Sequence, residues 1–257
     1  MVSERANEVG EAGVVERGGI GDRAQLASLL FEPGTRPDCA ALSALAANGG
    51  FSIALAAGDW AELLRDGLTF DVAGLAPGEA AAPTLTSHRY GLVPGFAPDR
   101  LEALALMPGP HLAGAAHLLP VVRVATALLL ALAELPGLAA LSWCPAANLL
   151  SPEWFGKAVG GWLGGGPFPA FALVALALGQ KGAIGSEGLT FLTGQEFVLE
   201  PAAGKEPVLP LMSIAVRLLD WLVAHGRIAT AREVVLTGAG TIDLDVLPGG
   251  TLSARCR

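Results

Sequence analysis

The sequence predicts an α+β protein, with antiparallel or mixed sheets covered by helices, and three observations carry that expectation. Apolar residues make up 52% of the 257 and charged residues 16%, a balance that buries a core and lies far from the composition of disorder. Short alternating segments such as Leu68–Leu75 and Thr241–Val246 have the period of half-buried strands, while Leu211, Ile214, Ala215, Leu218, Leu219 and Leu222 repeat as one face of a helix. The order of these segments mixes strand–helix–strand units with hairpins, which suggests two ferredoxin-like halves dividing near residue 108, although no sequence repeat supports the duplication.

Taken in order, residues 1–22 show no hydrophobic period and read as a flexible tail, leaving 23–257 as one globular unit. Ala24–Phe31 is a strand ended by the Glu32-Pro33-Gly34 turn, and Asp38 opens an Ala/Leu-rich helix that stops at Asn48-Gly49-Gly50. Phe51–Ala56 and Leu68–Leu75 follow as strands. Pro98 and Asp99 introduce a short helix, Arg100–Leu106, which Pro108-Gly109-Pro110 ends because proline can neither donate nor continue the turn. A strand at His117–Leu119 precedes a helix at Val121–Leu135, whose only non-apolar members are Arg123, Thr126 and Glu134, so protein must surround it.

Leu138–Cys144 reads as a strand. Ser151-Pro152-Glu153 is a strong helix start, with a hydroxyl cap, a proline at the first position and an acid in the first turn, for a helix reaching Leu163. Phe168–Leu178, Leu189–Leu192 and Glu196–Glu200 read as strands, followed by the amphipathic helix from Leu211 and three closing strands at Glu233–Thr237, Thr241–Val246 and Leu252–Cys256.

Composition also limits the partners. A net charge of −8 with scattered Arg and Lys lacks the basic face that grips phosphates, so nucleic acid is not expected. The longest apolar run, Leu118–Ala133, is shorter than a bilayer span and holds Pro120 and Arg123, so no membrane crossing is expected. Cys39, Cys144 and Cys256 are odd in number and form no CxxC pair; they read as free thiols in a reduced cytoplasm.

No familiar catalytic constellation emerges. Cys144 follows Trp143 at a strand end and His117 lies upstream, so an imidazole-activated thiol is conceivable, against the plainer reading of a small buried hydrophobe. The four histidines form no HxH or HxxxH pair, and His111 and His117 lack further ligands in register, so neither a metal nor a cofactor is expected. Asp243 and Asp245, like Glu196 and Glu200, alternate with apolar neighbours and read as solvated strand faces. Gly238-Ala239-Gly240 leads into a strand and so forms a hairpin turn, not a phosphate loop.

Several segments, LTFDVAG (Leu68–Gly74), FAPDRLE (Phe96–Glu102), PHLAGAAHLL (Pro110–Leu119), LSWCPAANLLSPEWF (Leu141–Phe155) and EGLTFLTGQEFVLEP (Glu187–Pro201), together resemble a bacterial family known as domain of unknown function 4261. The resemblance implies no activity and no cofactor. The leading expectation is a non-enzymatic binding or interaction protein, self-associating as a homodimer or meeting a protein partner through Trp154, Trp162 or Trp221. The alternative is a small-molecule enzyme with its pocket between the two halves, using catalytic candidates His117, Cys144 and Glu196 and binding candidates His111, Glu187 and Trp143. Convergence of three or more of His111, His117, Cys144, Glu187 and Glu196 in one concave pocket favours a small-molecule site over an interaction surface.

Overall fold

A computed structural model describes residues 24–201 and 208–257; the expected tail at 1–22 lies outside them. The protein is α+β. One sheet has eight strands in the order β2-β3-β4-β6-β1-β7-β8-β5, formed by β1 (Ala27–Phe31), β2 (Ser52–Ala57), β3 (Trp60–Arg65), β4 (Leu68–Ala73), β5 (His88–Tyr90), β6 (Glu102–Pro108), β7 (Leu138–Trp143) and β8 (Asn148–Leu150). The other has six in the order β12-β13-β14-β11-β10-β9, formed by β9 (Ala175–Leu178), β10 (Ile184–Glu187), β11 (Phe197–Glu200), β12 (Arg232–Leu236), β13 (Gly240–Val246) and β14 (Leu252–Cys256). Both are mixed: β5 runs parallel to β8 and β11 parallel to β14, and the remaining pairs are antiparallel.

Strand pairing gives no boundary near residue 108. β6 ends there, yet β7 and β8 beyond it belong to the same sheet, and the change of sheet falls between β8 and β9.

β1 is central in the larger sheet and buried on both faces, which explains its unbroken apolar character. Its Leu29 and Phe31 face the main core beneath α1 (Cys39–Gly49) and α2 (Leu119–Leu132), while Leu30 joins Ala103, Ala140 and Leu149 on the far face, where Leu92 and Phe96 cover them. The main core is continuous across both sheets, running from Phe70 and Trp143 through Phe155 to Phe197 and Leu218. Asp38 caps α1, its carboxylate accepting from Ala41 N, and Ser151 caps α3 (Pro152–Leu163) by accepting from Trp154 N, as the sequence leads one to expect. Of the expected stripe, α6 (Val208–His225) buries Leu211, Ala215, Leu218, Leu219 and Leu222 and leaves Ile214 half-buried.

Four segments differ from their sequence reading. The helix expected at Arg100–Leu106 is the strand β6, which lies between β4 and β1 and is buried from Ala103 to Pro108; its Leu and Ala residues suit a helix locally, but the middle of the sheet has room only for an extended chain. His117–Leu119 is no strand: a 3-10 turn at Pro110–Ala115 leads directly into α2. Phe168–Leu178 divides into the single turn α4 (Ala170–Leu173) and β9. Leu189–Thr193 is a short helix, α5, not a strand.

Of the three tryptophans expected at an interaction surface, one is buried and two are half-buried against the core. Trp162 is buried against Phe168 and lies under the Arg123 guanidinium, Trp154 stacks on Tyr90, and Trp221 stacks on His225 with Arg232 on the ring. Among the described residues, no helix is long and apolar enough to cross a membrane.

Candidate functional site

A cleft of about 940 Å³ opens where the two sheets meet. One wall comes from the larger sheet: Ala24–Leu26 entering β1, Pro108 at the end of β6, the turn holding Ala113, Ala116 and His117, and Cys144-Pro145 after β7. The opposite wall is the β10–α5–β11 connection from Glu187 to Glu196, completed by Gly226 and Arg227 after α6. Gly188 fixes how closely the walls approach: its φ of 93° is in the left-handed region, and a Cβ there would lie 2.6 Å from Ala146 Cβ.

Four of the expected residues, His117, Cys144, Glu187 and Glu196, line this cleft. His111 does not; it is exposed beside β4, its Nδ1 3.4 Å from Thr69 Oγ1. Trp143 is buried in the core with its ring edge against Phe191, so it packs beneath the site without lining it. The acids and histidine do not converge on a point: among the described residues, no three His, Cys, Asp or Glu side chains are grouped to hold a metal ion.

Glu196 does not belong to a solvated strand face. Its carboxylate turns back and accepts from Ser186 Oγ (2.5 Å) and from the backbone N–H groups of Gly188 (3.0 Å), Leu189 (3.3 Å) and Thr190 (2.9 Å). These amides open α5, so a carboxylate from beyond the helix satisfies the donors that a helix start leaves unpaired. Ser186 Oγ in turn accepts from Phe197 N at 2.9 Å. The oxygens of Glu196 are thereby engaged in holding the wall together.

Cys144 begins a 3-10 turn and its backbone N–H donates to Leu26 O. Its sulfur lies 3.2 Å from Thr84 Oγ1 and 3.8 Å from Ser142 Oγ, in a polar group extended by Ser28 Oγ and Gln25 Nε2. Burial pushes the thiol above its usual range, and the hydrogen bonds from Thr84, Ser142 and Ser28 only partly offset this. No hydrogen bond joins it to His117, so the sulfur is held as a thiol in a hydroxyl-lined niche, the opposite of an activated nucleophile.

Two participants escaped the sequence reading. His88 Nε2 lies 2.6 Å from Glu187 Oε2, tying β5 of one sheet to β10 of the other beside the cleft. A lone histidine in a three-residue edge strand gives no periodic signal. Arg227 stands at the cleft after the Gly226 that terminates α6, and it was legible only as a cation in an otherwise poorly charged stretch. Comparison of the chain with family models, with curated proteins and with solved structures finds no match.

Proposed function

We propose that this is a binding protein that holds a small ligand in the cleft between its two sheets. The observation that carries the reading is the meeting of His117, Cys144, Glu187, Glu196 and Arg227 on a cleft whose walls also offer apolar surface at Leu26, Pro108, Ala116, Phe191 and Leu192. A concave site of this size, largely apolar with a few placed polar groups, is the usual form of a small-molecule site. The chemistry of those groups favours binding over turnover: Glu196 is spent on backbone amides and Cys144 is held protonated. The expectation of a surface interaction module accordingly gives way to a pocket. The resemblance to the domain of unknown function 4261 family, a bacterial cytoplasmic setting and a homodimer are compatible with this reading and add no ligand to it.

The test is titration with Nile red, a neutral apolar dye, against the full chain and against Ala113→Trp, which adds bulk at an exposed position on the cleft wall. Saturable binding of one dye per chain, weakened about tenfold or more by the substitution, is expected. Absence of saturable binding, or indifference to the tryptophan, rules the reading out.

A further inference from the structure

We infer that the cleft receives a carboxylic acid with an apolar body, and that Arg227 receives its carboxylate. This rests on the cleft being a ligand site and specifies the ligand's chemistry. Of the charged groups lining the cleft, two are acids and both are engaged: Glu196 by Ser186 Oγ and three amides, Glu187 by His88. Arg227 is exposed and, among the described residues, has neither a hydrogen bond nor an acidic partner. The unengaged charge facing the cleft is therefore positive.

Arg227 is also both exposed and part of the cleft lining. A Cβ on Gly194 would lie 3.3 Å from Arg227 Nη1, and Gly194 itself lines the cleft at a φ of 77°, so Gly194 puts no side chain beside the guanidinium. His117, exposed on the other wall, adds a second hydrogen-bonding group. The apolar side chains of Leu26, Phe191 and Leu192 provide the surface for the body of the ligand.

The same geometry selects carboxylate over phosphate. One arginine presents a planar fork that matches a carboxylate with two parallel hydrogen bonds. A phosphate gathers further donors, commonly amides at a helix start, and here the amides of Gly188, Leu189 and Thr190 already donate to Glu196. A dianion would in addition lie near Glu187 in a chain of net charge −8.

The test is calorimetric titration of the full chain with octanoate, 1-octanol and octyl phosphate, repeated on Arg227→Gln. Octanoate is expected to bind about ten- to a hundredfold tighter than octanol, the range of one charge-assisted hydrogen-bonding interaction, and tighter than octyl phosphate. Arg227→Gln should erase that advantage, read as the ratio of octanoate to octanol affinity within each protein, while leaving the melting temperature unchanged. Equal affinity for octanoate and octanol, a preference that survives Arg227→Gln, or tighter binding of octyl phosphate overturns the inference. Binding of Nile red and octanol without octanoate overturns it while the cleft stands as a binding site; failure of every ligand and of the dye removes both.

Discussion

His88 Nε2 and Glu187 Oε2 lie 2.6 Å apart, one on the edge strand of the eight-stranded sheet and the other at the end of a strand in the six-stranded sheet. The two side chains are 19% and 51% exposed, so the pair is only partly shielded from water. It should be worth more than a surface ion pair and less than a buried one, about 1 kcal/mol. In a double-mutant cycle of His88→Ala and Glu187→Ala measured by urea unfolding, a coupling of about 0.5–1.5 kcal/mol is expected. Strictly additive effects would show that the contact does not help join the sheets.

Glu196 provides a sharper case. Replacing it with alanine leaves the amides of Gly188, Leu189 and Thr190 without their acceptor, and a loss of about 2–3 kcal/mol is expected, with faster hydrogen exchange at those three amides. Glu196→Gln retains one acceptor oxygen and should lose about half as much. Wild-type stability in Glu196→Ala would return the residue to the list of groups free to act on a ligand.

The thiol of Cys144 gives stability a pH dependence of defined sign. Burial raises it above its ordinary value of 9.0, so the folded chain holds this proton more tightly than the unfolded chain does. The resulting stabilisation is fully present below about 9 and is lost as pH rises from there through the folded value. Tyr90, raised by burial and then by the charge of Glu187, adds a slope of the same sign beginning near 10.0. Urea unfolding between neutral pH and about pH 10 should therefore show falling stability in the wild type and a shallower fall in Cys144→Ala. Identical slopes in the two proteins would contradict this account.

How much could be read beforehand depended on whether the deciding physics was local. The start of α3 was legible because Ser151, Pro152 and Glu153 act within one turn, and the β12–β13 hairpin because Gly238 and Gly240 sit between alternating runs. β6 was not: Leu101–Met107 has the composition of a helix, and only its place between β4 and β1 makes it extended. α5 failed in the other direction, since Thr190, Phe191 and Thr193 favour a strand and the helix depends on a carboxylate supplied from Glu196.

The site was legible as a set of residue types and not as a place. His117, Cys144 and the Glu187–Glu196 connection lie on three separate stretches of the chain, and no spacing along it encodes that they share a cleft. Arg227 and His88 were missed because a single charged residue outside a motif has no pattern to betray it. Trp143 drew attention as the neighbour of Cys144, but β7 ends at Trp143, which is buried in the core, and Cys144 opens the 3-10 turn that lines the cleft.

The position of β14 bears on how the chain can be made. It lies inside the six-stranded sheet, antiparallel to β13 and parallel to β11, although it is the last strand in sequence. During vectorial synthesis β10 and β11 can emerge and even pair, but β12 and β13 have no seat beside them until Leu252–Cys256 leaves the ribosome. A nascent chain stalled before Leu252 exposes two bare strand edges at once, and those edges are what a chaperone would have to shield.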